Sequence, residues 1–144
     1  MPKQLSLFSE NKPGKINRIT EILKEGNINI KAITISSDPE DKYGIIKLLL
    51  DKPEDAYELF QHNDIPAKLQ SIVAIKVPDS PGGLNSASLI LADKGINIKN
   101  AYGFTVREKD TAVFVFQVED VHETERVLRE AGFKTVDDRE LYYI

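Results

Sequence analysis

Hydrophobic positions along this chain switch between two periods in a fixed order. Alternating or continuous apolar runs predict strands at Lys3 to Phe8, from Ile28 onward, at Tyr43 to Leu50 and at Ile65 to Leu69. Spacings of three and four residues predict two helices between them. Ile16, Ile19, Ile22 and Leu23 line one; Ala56, Leu59 and Phe60 line the other, which opens with Pro53 in its first turn. The same order then recurs. Strands are expected at Ser71 to Val77, from Ile96, at Thr111 to Val118 and at Phe133 to Val136. The helices between them carry Leu84, Ala87, Ile90 and Leu91, then Val121, Thr124, Val127 and Leu128. Gly26 and Gly95 fall where helix C-terminal caps belong. Ser37-Asp38-Pro39-Glu40-Asp41 and Glu108-Lys109-Asp110 are the polar hairpins. The tail Leu141-Tyr142-Tyr143-Ile144 fits either an extended last strand or the cover of an edge.

An offset of 68 residues superposes the two halves without a gap, pairing Pro13-Gly14 with Pro81-Gly82 and Ile28-Asn29-Ile30-Lys31 with Ile96-Asn97-Ile98-Lys99. Two domains follow, residues 1–70 and 71–144, each βαββαβ. The expected fold is α+β, two ferredoxin-like repeats, each an antiparallel sheet with both helices on one face, expected to be joined side by side. The third strands are apolar on both faces, at Ile45, Ile46, Leu48, Leu49 and Leu50 and again at Val113 to Phe116. The helix-free face is therefore expected to be covered, by the other repeat or by a second chain.

The stretch with the most chemical promise is the turn after each first strand, Asn11-Lys12-Pro13-Gly14-Lys15-Ile16 and Asp79-Ser80-Pro81-Gly82-Gly83-Leu84. A strand that passes through Pro-Gly into a helix leaves N–H groups unpaired at the positive end of the helix dipole, which suits a carboxylate. Polar-Pro-Gly is also an ordinary helix start; its occurrence twice in register raises its interest. The glycines allow close backbone approach. Asp79, or the carbonyl of Asn11, could take an ammonium, and Lys12 or Lys15 adds charge in the first copy only. The second turn, acidic and with an extra glycine, is the better expected site.

The net charge of -4 argues against nonspecific binding to nucleic acid or anionic membrane, and the absence of cysteine removes disulfides, thiolate metal sites and a cysteine nucleophile. With no signal-peptide pattern or spanning apolar run, a cytoplasmic protein is expected. His62 and His122 do not match each other in the repeat and read as solvated. No cofactor, metal site or catalytic constellation is expected. An RNA-binding sheet would need its aromatics on strand three after a basic residue and glycine, which Phe114-Val115-Phe116 lacks. An acylphosphatase-like site built on Arg18 and Asn17 has no nucleophile and base beside it, and the second copy replaces Arg18 with Ser86.

The βαββαβ repeat, the stretches Glu10-Asn11-Lys12-Pro13-Gly14 and Asp79-Ser80-Pro81-Gly82, and the strand starts Gly26-Asn27-Ile28-Asn29-Ile30 and Gly95-Ile96-Asn97-Ile98 resemble the ACT domain, over nearly the whole chain as two tandem copies. The resemblance implies a regulatory module that binds an amino acid or other small ligand and pairs side by side, with the ligand at a seam between domains. It implies that both turns line the ligand and that the second strands, around Ile33 to Ile35 and Tyr102 to Phe104, face them. Asn29 and Asn97 join that set, or only hydrogen-bond their own turns. The serine-sensing pattern His-x-Asn-x-Pro-Gly is broken here by Ser9 in the first copy and by Val77 and Asp79 in the second, so serine is not carried over as ligand. The expected partners are a free amino acid, a second copy of the chain and a regulated enzyme.

Overall fold

The computed structural model describes residues 1–10, 12–37, 40 and 42–144. Asn11 of the first turn, and Asp38, Pro39 and Asp41 of the expected hairpin, lie outside them. The chain forms two compact units, Lys3–Gln70 and Ser71–Ile144 with Met1–Pro2. The first runs β1 (Lys3–Glu10), α1 (Lys15–Glu25), β2 (Ile30–Ser37), β3 (Tyr43–Leu50), α2 (Pro53–His62) and β4 (Ala67–Ser71). The second runs β5 (Val73–Pro78), α3 (Gly83–Asp93), β6 (Asn100–Thr105), β7 (Thr111–Gln117), α4 (Val121–Glu130), β8 (Lys134–Thr135) and α5 (Asp138–Tyr143). The sheets are ordered β2-β3-β1-β4 and β6-β7-β5-β8, with antiparallel pairing. Both units are thus ferredoxin-like.

Alternation along the strands builds each core. Leu5 and Leu7 of β1 and Ile46, Leu48 and Leu50 of β3 point toward Ile19, Ile22 and Leu23 of α1 and Phe60 of α2. Val73, Ile75 and Val77 of β5 meet Ala87 and Leu91 of α3, Phe116 of β7 and Leu128 of α4. Burial of these side chains is the main stabilising term in each unit. Leu49, Val113 and Val115, on the alternate face, are also fully buried. At the turn end of the first unit, Phe8 and Tyr43 are exposed and stack with ring centroids 5.2 Å apart.

Helix ends account for the boundaries that differ from expectation. The N–H groups of Ile28 and Ile96 donate back to the carbonyls of Leu23 and Leu91, at 2.9 and 2.8 Å. They close the helices, so the second strands start later, at Ile30 and Asn100. Gly26 is the C-cap of α1 and Gly95 follows the C-cap of α3; the left-handed residues of these closures are Asn27 and Gly95, one repeat apart. Gly26 also leaves room for Leu59, whose Cδ1 would stand 2.3 Å from a Cβ there. Ile65 and Phe133 likewise donate to Phe60 and Leu128, which delays β4 to Ala67 and shortens β8 to two residues. The tail does not extend the last strand, which ends at Thr135. It forms α5, with Asp137 at the N-cap accepting from the Glu140 N–H at 2.9 Å.

Candidate functional site

The two turns have the same backbone. Gly14 (φ 92°) and Gly82 (φ 93°) are left-handed N-cap residues of α1 and α3, and neither helix has a side-chain cap. Any other residue would be strained at that φ, which is why both copies keep glycine. The first helical bonds run from Arg18 N to Gly14 O at 3.1 Å and from Ser86 N to Gly82 O at 3.0 Å. Lys15 N and Gly83 N close the turns onto Lys12 O and Ser80 O. The Ile16, Asn17, Leu84 and Asn85 N–H groups have no acceptor among the described residues. With no acidic side chain in either first turn, the dipole is uncompensated.

Around these similar turns the copies diverge. Against the second turn lies a groove of about 680 Å³ lined by Ser80, Pro81, Gly82 and Gly83. Ser86 of α3, Lys76 of β5, Glu108 and Asp110 from the β6–β7 turn and Lys134 at the start of β8 also line it. In the first unit the matching space, beside Lys15, Arg18 and Asn63, is about 400 Å³. There the Arg18 guanidinium donates to Asn63 Oδ1 at 3.0 Å, a bond that Ser86 is too short to make. Lys12, Lys15 and Ile16 also line a pocket of about 40 Å³ against Ile35 of β2. Lys12 sits 3.1 Å from Glu10 and holds that carboxyl below its usual range, first by a hydrogen bond and then by charge.

Four of the residues singled out from sequence, Ser80, Pro81, Gly82 and Gly83, therefore converge on one groove, and Lys12, Lys15 and Ile16 on another, smaller one. Pro13 and Gly14 shape the first turn and line none of these three spaces. The Asp79 N–H donates to Asp110 O at 2.7 Å, which ties the turn to the β6–β7 hairpin, while Leu84 is exposed on the first turn of α3. Tyr102 pairs with Val115 on the helix-free face, where burial pushes its phenol up; it is not at the groove. Asn29 and Asn97 lie at the far end of their sheets. The Asn29 N–H donates to Asp51 Oδ1 beyond the Ile30–Leu50 pair, whereas the turn sits by the Glu10–Tyr43 pair. About seven residues of β3, roughly 23 Å, separate them.

Sequence reasoning missed Lys76, Ser86, Glu108, Asp110 and Lys134. Lys76 left a signal: it interrupts an apolar strand at the position where the first copy has Phe8. Its ammonium lies 3.2 Å from Glu108 Oε2 and is ion-paired with Glu140 of α5. Those contacts, the Glu140 hydrogen bond foremost, hold its pKa above the ordinary lysine value. Among the described residues no group of His, Cys, Asp and Glu is arranged to hold a metal, and no helix is long and apolar enough to cross a membrane.

A family model described as ACT domain pair matches residues 1–144. Among solved structures, protein BT0572 from Bacteroides thetaiotaomicron is similar at 29% identity with a TM-score of 0.91, over 99% of this chain and 96% of that one. The ligand-free regulatory subunit of aspartate kinase from Thermus thermophilus is similar at 17% identity and a TM-score of 0.65, over 91% and 93%. The corresponding subunit from Thermus flavus gives 16% and 0.58, over 90% and 91%. The likeness to the two kinase subunits is one of fold. No curated protein matches the chain at a significant level.

Proposed function

The chain belongs to the ACT domain pair family, and we propose that it is a regulatory protein that binds a free amino acid at the turn of its second domain. The observation that carries this reading is the groove of about 680 Å³ against the α3 start, a volume within the roughly 300–1,000 Å³ of small-molecule sites. The ligand carboxylate takes the Lys76 ammonium, which lines the groove beside the positive end of α3. Its ammonium faces the carboxylate of Asp110, across a space that Gly82 keeps clear. The first domain offers less room, and its turn is crowded by Lys12, Lys15 and Arg18. No catalysis is proposed, because the groove pairs no nucleophile with a base.

Regulation then means that occupancy favours one arrangement of the protein over another. The outer strands β2 and β6 leave one side of each sheet without a partner strand within the sheet. Pairing of such an edge with a second copy of the chain is the proposed dimer contact. The Thermus thermophilus neighbour is the regulatory subunit of a kinase; a regulated enzyme is the corresponding partner proposed here.

Thermal-shift screening against the twenty L-amino acids, followed by calorimetry, tests the reading. At least one should raise Tm, and Ser86→Leu, which puts a larger apolar side chain among the lining residues in place of the hydroxyl that donates to Gly82 O at 3.1 Å, should weaken that amino acid at least about ten-fold. Silence from all twenty, or an affinity that Ser86→Leu leaves unchanged, would remove the groove from function. A monomer by light scattering would contradict the dimer.

A further inference from the structure

Helix α5 stands outside the repeat. At the 68-residue offset its positions, 138–143, match 70–75, where the first copy passes from the end of β4 into β5. Six residues are too few for a helix to persist in water by itself, so α5 depends on what holds it. Its anchors are the Asp137 cap, the fully buried Leu141 and the ion pair between Glu140 and Lys76. Lys76 is the adaptation on the sheet side. Its repeat partner is the exposed Phe8, and its β5 neighbour on the same face, Ala74, is buried, as is Val113 opposite it in β7. The Lys76 side chain is only 21% exposed, yet it lines the groove and touches both Glu108 and Glu140. One ammonium thus belongs at once to the proposed ligand site and to the anchor of the C-terminal helix.

We propose that Lys76 couples the groove to α5: a ligand carboxylate draws the ammonium away from Glu140, and the C-terminal helix loosens. The proposal rests on the amino-acid reading above. Its physical basis is crowding of like charge. A carboxylate entering beside Glu108 and Glu140 places three anions around one cation, and their mutual repulsion weakens each hold on it. Glu140 sits on the element with the least helix-forming stability of its own, so the loss appears there. Occupancy is thereby converted into exposure of residues 138–144, a segment that a regulated partner can read. By reciprocity, whatever frees Lys76 from Glu140 must tighten the ligand.

Hydrogen exchange at residues 138–144, read by mass spectrometry on the full chain, tests this. Without ligand, Lys76→Met should speed exchange there about three-fold, the worth of a partly screened ion pair, and Lys76→Arg should restore protection. With whichever of the twenty L-amino acids raises Tm most, the wild-type segment should exchange about three-fold faster even as the α3 turn slows. Glu140→Gln should bind the same amino acid about three-fold tighter. Equal exchange in wild type and Lys76→Met overturns the anchor. A bound amino acid that leaves 138–144 unchanged overturns the coupling while the amino-acid reading stands. No Tm response to any of the twenty overturns that reading and the coupling together.

Discussion

Replacing Gly82 with alanine isolates the backbone strain at the centre of the site. A Cβ built on Gly82 meets nothing within 4 Å, so no packing term enters and the whole effect comes from φ at 93°. Holding a residue with a Cβ in the left-handed region costs about 1–2 kcal/mol. Alanine also narrows the unfolded ensemble, which returns about 0.4–1 kcal/mol. The net destabilisation is about 1 kcal/mol, or a fall in Tm of about 4–8 °C for a domain of this size. Urea unfolding followed by circular dichroism reads it as a lower midpoint at unchanged slope. Two comparisons sharpen the result. Gly82→Asn should cost less than Gly82→Ala, because asparagine tolerates the left-handed region. Gly14→Ala should match Gly82→Ala, since Gly14 has the same φ and the same empty surroundings. Gly82→Ala at no cost, or Asn no better than Ala, would refute the left-handed turn and with it the free N–H groups at Leu84 and Asn85.

Other expectations follow from the core, the caps and the charges. Phe60→Ala and Phe116→Ala each empty a fully buried aromatic position and should cost about 3–5 kcal/mol in chemical denaturation; a cost near that of a surface change would place these rings outside the core. Asp120 accepts from the Glu123 N–H at 3.0 Å at the start of α4, so Asp120→Ala should cost about 1 kcal/mol, with faster exchange confined to the first turn of that helix. The Lys76 pKa is raised above its ordinary 10.5, first by the Glu140 hydrogen bond. Its stabilising pull is therefore complete below that pH and lost as pH climbs through the raised value. Lys76→Met should flatten the alkaline decline of Tm relative to wild type, and parallel profiles would count against the pairing. Tyr102, whose phenol burial pushes up, should ionise late in an ultraviolet alkaline titration, and Tyr102→Phe should delete that late step.

The duplication, the order of elements, the core faces and the special turn were all written locally in the sequence. Each depends on interactions within a few residues: a period of two or three to four, a proline and glycine at a helix start, a four-residue identity between copies. Ile19, Ile22, Leu23, Ala87 and Leu91 were assigned to helix faces from spacing alone, and they are buried as expected. Even α5 has a local sign, Asp137 three residues before Glu140, the spacing of a helix start. Tertiary structure decided what short-range pattern cannot hold. Strand register puts Asn29 and Asn97 at the end of their sheets away from the turns of the same unit. Convergence of β5, the β6–β7 hairpin and the start of β8 made the groove, bringing Lys76, Glu108 and Lys134 together from distant positions. Divergence between the copies, Arg18 bonded to Asn63 in one and Ser86 in its place in the other, set how much room each turn leaves. A local pattern fixes how a turn is made; only the packing of elements far apart in the chain fixes what stands opposite it.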